Sequence, residues 1–416
     1  MLKRWRIRIL LFLAVLGPGF ITANVDNDSG GIFTYSQAGA QYGYSLLWTI
    51  IPITISLIVV QEMCARMGVV TGKGLSDLIR EEFGLRTTFL VMVALVVVNF
   101  TNVVTEFIGI AGSLHLFHVS EFISVPVCAA LVWFLVFRGD YKSTEKIFLV
   151  ASLVYIAYIF AGVLSQPSWH EAILATVQLP NDKVWRDKAY IYMAIGVVGT
   201  TIAPWMQFYL QSSVVEKGIR VKDYAASRLD VIVGSFFTDL VAWFIIVACA
   251  ATLFVHGMGA IQIASDAAEA MRPLAGDYAF LLFAFGLFNA SLFAASILPL
   301  STAYTVCEGL GFESGVDKSF KEAPFFYWLY TLLIVGGAAT VLILPDAQLV
   351  KFAIYSQVLN GVLLPVIIIL MLLLINRRDL MGEHKNTRLW NVIAWSTSII
   401  VIGMTLVMLW GLMPGH

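Results

Sequence analysis

Gly17–Tyr44 reads GPGFITANVDNDSGGIFTYSQAGAQYGY, and the fold turns on the middle of this stretch. Its two ends are apolar, but Asn24, Asp26, Asn27, Asp28, Ser29, Gly30 and Gly31 interrupt it. A helix needs about twenty apolar residues to cross the hydrocarbon core of a bilayer. The segment reaches that length only with its polar residues at the centre, so a continuous spanning helix is excluded. Polar, glycine-rich backbone is tolerated at membrane depth only where protein or a water-filled cavity satisfies it. The stretch therefore predicts a helix broken at mid-bilayer, the element around which transporters build substrate sites.

The remaining sequence supplies the setting for such a break. Of 416 residues, 59% are hydrophobic and 13% charged, and the mean hydropathy of +0.84 lies outside the soluble globular range. A polytopic membrane protein in contact with lipid follows. The net charge of -1 gives no sign of a nucleic-acid partner. Cys64, Cys128, Cys249 and Cys307 lie in apolar stretches without metal-ligand spacing and read as buried thiols. Met1–Leu16 has basic residues before an apolar run but no small-residue cleavage site, so it reads as the start of a retained first helix.

Apolar segments fall near 9–40, 45–67, 87–116, 121–137, 145–165, 188–216, 229–256, 277–307, 323–344, 348–375 and 389–412, which makes eleven spans. Lys3, Arg4, Arg6 and Arg8 precede the first, and Lys73, Arg80 and Arg86 follow the second. Arg138, Lys142, Lys146, Lys217, Arg220, Lys222, Arg228, Lys318, Lys321, Arg377, Arg378, Lys385 and Arg388 continue the alternation. The intervening loops hold only Lys183, Arg186, Lys188, Arg272 and Lys351. The bias predicts a cytoplasmic N-terminus and an external C-terminus. Trp48, Trp169, Trp185, Trp390 and Trp410 lie near span ends, as interfacial anchors do.

The sixth span, Tyr190–Ser213, clusters Gly196, Gly199, Thr200, Thr201 and Pro204 at its middle. A proline there removes a backbone donor and clashes with the preceding turn. A lone kink would explain that much, but spans one and six each open a five-helix block. Matched interruptions point to an inverted repeat with a midplane site between its halves. The expected division is 1–166 and 167–376 for the two repeats and 377–416 for an added helix. An acid at such a site favours a cation, and spacing alone leaves Asp26 and Asp28 as rivals.

GPGF, sixteen residues, then QAGAQYGY, followed by QEMCARMGVVTGKGL at Gln61–Leu75, TEFIG at Thr105–Gly109 and SQVLNGVLLP at Ser356–Pro365, resembles the Nramp family of divalent metal-ion transporters over essentially the whole chain. The resemblance implies an all-α, LeuT-type fold of two inverted five-helix repeats with helices 1 and 6 broken, here plus an eleventh helix. It also implies manganese and ferrous iron as usual substrates, moved with protons. The family's DPGN motif falls on Asp28, Ser29, Gly30 and Gly31, so the carboxylate ligand is kept and Gly31 stands where an asparagine ligand is usual. The A-x-x-M-P-H motif falls on Thr200, Thr201, Ile202, Ala203, Pro204 and Trp205. Thr200 can offer a carbonyl, while Ala203 replaces the methionine thioether and Trp205 the histidine.

Soft thioethers suit transition metals, whereas carboxylates, carbonyls and water suit magnesium and manganese. Loss of the sulfur and of the asparagine side chain leaves room for a partly hydrated magnesium ion, which gives up its waters reluctantly. The pattern is similar to the Nramp-related magnesium transporter branch. The proton route is depleted too: Trp205 cannot exchange protons, Val103 stands where a second acid is usual on helix 3, and span nine contains no Arg or His. Glu106 remains, either to shape the field near the site or to pair with Asn99 or Asn102. Gln357 is expected to contact the ion or its waters, Gln207 to coordinate a water, and Asn360 to join two helices. Asp230 and Asp239 are expected to form structural pairs, the former with Arg228.

The reading is a monomeric, uncoupled carrier of Mg2+, also passing Mn2+, in a bacterial inner membrane. The metal is substrate and no cofactor is expected. The alternative within the family is a proton-coupled Mn2+/Fe2+ importer. A channel, in which the breaks line a continuous pore, and a sodium-coupled amino-acid carrier compete from outside it. No nucleophile–base pair or phosphate-binding loop points to an enzyme.

Overall fold

The computed structural model describes residues 17–137, 141–180, 187–257, 259, 261 and 264–411. Met1–Leu16, with Lys3, Arg4, Arg6 and Arg8, and also Arg138, Lys183, Trp185 and Arg186, lie outside the described residues. The described chain is helical. In order it forms α1 (Pro18–Val25), α2 (Ser29–Tyr42), a 3-10 turn (Gly43–Thr49), α3 (Ile50–Thr71), α4 (Leu75–His115), α5 (Glu121–Phe137), α6 (Tyr141–Val154), α7 (Ile156–Leu164) and α8 (Trp169–Val177). Then come α9 (Lys188–Thr201), α10 (Pro204–Glu216), α11 (Tyr224–Cys249), α12 (Ala264–Leu310), α13 (Pro324–Ile343), α14 (Asp346–Ile375) and α15 (Arg388–Gly411).

Both expected breaks are present, between α1 and α2 and between α9 and α10. Among the described residues, eight helical stretches are long and apolar enough to cross a membrane, or nine with a pair bent by 67° after Ile375. One of the eight, Ser29–Thr71, joins the second half of the first span to the second span, and Glu121–Phe137 falls just short in length. Separating the former and admitting the latter accounts for eleven spans.

The two halves repeat a second feature that composition did not reveal. In α4 the helix is interrupted at Gly84 (φ 79°, ψ 167°), and in α12 at Gly276 (φ 86°, ψ 170°). Each is the third span of its half, and each is led by a short helix outside the apolar segments that the sequence predicts. Only glycine adopts that backbone without strain, so the matched pair marks the repeat. α8 was likewise not expected; it packs on the turn Gly43–Thr49.

Polar contacts sort the loops onto two faces. On one, Lys217 Nζ meets Glu145 Oε1 at 2.5 Å, Gln211 Nε2 donates to the Lys73 carbonyl at 2.9 Å, Arg66 Nη1 donates to the His384 carbonyl at 3.0 Å, and Arg377 pairs with Glu82. These are the loops that sequence reading grouped as basic. On the other, Trp48 Nε1 donates to the Tyr190 hydroxyl at 3.0 Å, and Ile261 N to Gln37 Oε1 at 2.9 Å.

Candidate functional site

The first break spans Asp26–Asp28. Asp28 is extended (φ −73°, ψ −178°) and caps α2, its Oδ1 accepting from Gly31 N at 2.7 Å. An aspartate at this position satisfies one of the N–H groups that a helix start leaves unpaired. Asp28 keeps partial exposure whereas Asp26 is sealed at 2%. Of the two rivals, Asp28 is the more exposed.

The start of α1 accounts for all its donors. Pro18 has no N–H, and the groups of Gly17, Gly19 and Phe20 donate to Asp230 on α11 at 2.7, 2.7 and 3.1 Å. The expected pairing of Asp230 with Arg228 is therefore replaced by a helix cap; Arg228 instead lies 5.4 Å from the Trp390 ring centroid. The signal in the sequence was GPG itself, a helix start with no acceptor of its own.

At the second break, Ile202 (φ −126°, ψ 75°) and Ala203 (φ −79°, ψ 144°) leave the helical region before Pro204 restarts it. The helical partner of the Thr200 carbonyl would be the N–H of residue 204, and proline has none. Thr200 thus holds a carbonyl freed by the sequence. The Gln207 amide, turned so that its nitrogen faces them, donates to the carbonyls of Ala203 (2.6 Å) and Pro204 (2.8 Å). That nitrogen braces the break, a use not expected for Gln207. Thr201 donates to Val197 O at 2.8 Å and so accepts from the Tyr35 hydroxyl at 2.8 Å, which ties α2 to the second break. Trp205 is fully buried, and its carbonyl accepts from Ser301 Oγ at 3.2 Å.

Glu106 on α4 is buried, and its Oε2 accepts from Ser29 N at 3.1 Å. The expected partners go elsewhere: Asn99 donates to Thr302 at 2.8 Å, and Asn102 and Asn360 exchange amide hydrogen bonds at 3.2 and 3.0 Å. Asn360 is the helix-to-helix link expected of it. One turn after Glu106, Gly109 has no Cβ, and one built there would collide with Ser29 and Ser291. TEFIG therefore supplies both the acceptor and the gap that admit the first residue of α2.

Gln357 on α14 lies over Gly30, where a Cβ would collide with its amide nitrogen, and its Oε1 has no hydrogen-bond partner. Gly31 does not provide the room expected of it. A Cβ there would lie 2.6 Å from the Asp26 carbonyl oxygen and 3.4 Å from Asp28 Oδ1. The space lies elsewhere, in a cavity of about 530 Å³ between α2, α9, α14 and α15 that includes Gln357. It runs from Tyr42 and Ala189 toward Gly199, and among the described residues no charged side chain lines it. On the charged face, the crevice beside Pro18, Ile21, Tyr209 and Tyr304 has a volume of only about 10 Å³. Among the described residues, no three His, Cys, Asp or Glu side chains cluster as a metal site.

The sequence profile of the family described as natural resistance-associated macrophage protein-like, Nramp, matches residues 19–411. The divalent metal cation transporter MntH of Deinococcus radiodurans is 27% identical over 425 residues, covering 98% of this chain and 91% of its own. MntH of Yersinia enterocolitica is 26% identical over 400 residues, with 94% and 93% covered. Among solved structures, the Eremococcus coleocola manganese transporter, in complex with an aromatic bis-isothiourea substituted compound, superposes with a TM-score of 0.76 at 21% identity, covering 95% of this chain and 86% of that one. MhsT, in complex with L-phenylalanine, superposes with a TM-score of 0.60 at 15% identity, covering 94% and 97%. These likenesses establish the LeuT-type fold. With one profile running through both breaks and to the end of α15, this chain belongs to the Nramp family.

Proposed function

We propose that this protein carries divalent metal ions across a cell membrane, with Mg2+ as principal substrate and Mn2+ also accepted, by alternating access and without proton coupling. The observation that carries the reading is the donor set at the breaks: the Asp28 carboxylate, the Thr200 carbonyl freed by Pro204 and the unpaired Oε1 of Gln357, with Ala203 where a thioether would select softer ions. The metal-transporting relatives support the substrate class. The 530 Å³ cavity meets this donor set at Gln357 and exceeds the roughly 180 Å³ that six waters occupy at liquid density, which supports passage of a hydrated ion toward the breaks. Glu106 holds the start of α2 rather than relaying protons, and Trp205 and Val103 offer no titratable group.

The transporter works as a monomer in a bacterial inner membrane, without enzymatic activity. The charged face is cytoplasmic and the C-terminus external, so the cavity opens outward and the 10 Å³ crevice is the closed inner path. The repeats divide at 166 and 376. A divalent ion gains about 4.6 kcal/mol from 100 mV of inside-negative potential, twice the value for one charge. The test is Mn2+ uptake under Mg2+ competition in Ala203→Met and parent proteins. Strong Mg2+ inhibition of the parent, weakened in the variant, supports the reading. Mg2+-indifferent Mn2+ uptake in the parent returns the protein to the proton-coupled Mn2+/Fe2+ alternative.

A further inference from the structure

Residues 17–65, 87–114, 189–216 and 229–255 contain no Lys, Arg or His. Asp26, Asp28, Glu106 and Asp239 all fall within them, and among the described residues none of the four forms an ion pair. Asp28 and Glu106 each accept a backbone N–H, as described above. Asp26 and Asp239 are each 2% exposed, and Asp26 Oδ2 and both Asp239 oxygens lack a hydrogen bond. Thr54 lies within hydrogen-bonding reach of Asp239, but its one hydroxyl proton is directed to the Ile50 carbonyl at 2.8 Å.

The two acids are brought to one place. Asn27 Nδ2 donates to Thr238 Oγ1 at 2.7 Å and to its carbonyl at 3.0 Å, which docks Asp26–Asn27 on Thr238–Asp239. Asn27 Oδ1, in a side chain 1% exposed, is left without a partner at the same junction. Asp26 and Asp239 interact electrostatically with each other, and Tyr35 with both. Burying one uncompensated charge costs several kcal/mol, and the interaction of the two carboxylates adds their repulsion. One divalent ion cancels both charges, and carboxylate and amide oxygens are hard donors suited to the ions proposed above.

We infer that Asp26, Asp239 and the Asn27 side-chain oxygen form a second binding site for a hard divalent cation, between the first break and α11. This rests on the reading of the protein as a divalent-metal carrier and adds to it. Asp26 interacts electrostatically with both Asp28 and Asp239, so ions at the two sites repel one another and each promotes release of the other.

The experiment counts Mn2+ bound per chain by equilibrium dialysis and electron paramagnetic resonance, using the full-length protein in nanodiscs. Two ions are expected in the parent protein, with dipolar line broadening between them. Asp239→Asn and Asp26→Asn should each retain one ion and lose the broadening, and Asp28→Asn should retain one at the second site. The two variants on either side of the junction guard against one failing to fold. One ion in the parent, unaltered in count and affinity by Asp239→Asn or Asp26→Asn, overturns the second site. That result would leave the magnesium reading intact, whereas Mg2+ failing to displace either Mn2+ would defeat the magnesium reading and leave the count of two standing.

Discussion

Replacing Asp230 separates the anchoring of α1 from the chemistry of the site. The carboxylate takes three buried donors, Oδ1 from Gly17 and Phe20 and Oδ2 from Gly19. In Asp230→Asn the amide oxygen keeps the Oδ1 pair, one N–H loses its acceptor, and the new NH2 faces it. A buried donor left unpaired costs about 1–3 kcal/mol, and that is the expected loss. Asp230→Ala orphans all three donors but no longer buries a carboxylate, and the net loss is about 3–5 kcal/mol. Thermal unfolding should therefore rank the parent above Asn and Asn above Ala. Released from α11, α1 should also expose Ile21, now 3% exposed and lining the narrow crevice. An added Ile21→Cys should react faster with a polar maleimide when combined with Asp230→Ala, against a background of four buried native cysteines. Variants that unfold with the parent and leave residue 21 unreactive would refute the anchoring role.

Other perturbations follow from the same geometry. Asp28→Ala should abolish transport while the protein remains folded; normal flux from reconstituted variant would move the site elsewhere. Gly31→Asn should lower transport rather than restore a ligand, because its Cβ would lie 2.6 Å from the Asp26 carbonyl oxygen. Gly31→Ala should cost about 1–3 kcal/mol of stability through overpacking, and parental unfolding and flux in both variants would contradict that. Ala203→Met should shift preference toward manganese and cadmium, as measured by competition uptake, and unchanged selectivity would refute the thioether argument. Tyr35→Phe removes the 2.8 Å bond to Thr201; it should slow flux without changing ion preference, and a changed preference would make Tyr35 part of the selecting set.

The two breaks were legible because membrane burial makes polar, glycine- and proline-containing backbone conspicuous at Asp26–Gly31 and Gly196–Pro204, and because each opens a five-helix block. The alternation of basic loops was legible for a related reason, and its loops do meet on one face. What escaped depended on partners distant in the chain. Asp230 lies 211 residues from the Gly19 amide it accepts, and nothing local to either residue announces the bond. The role of Glu106 depended on Gly109 admitting Ser29, a consequence of packing between helices. Gly31 was misread as space because a missing side chain implies room only if the backbone does not move into it, and here the Asp26 carbonyl does. The short helices leading into α4 and α12 were missed because their apolar content is low and their defining feature is a glycine dihedral.

The central claim is that a hard-ion site has been retained while the proton path has been lost. The most direct measurement places the purified protein in liposomes, with a magnesium-sensitive dye inside and a pH-sensitive dye in parallel, and applies an inward Mg2+ gradient with and without Mn2+. Saturable Mg2+ uptake that Mn2+ inhibits, with no accompanying acidification, is the predicted result. Mn2+ uptake that acidifies the lumen and ignores excess Mg2+ would contradict the account.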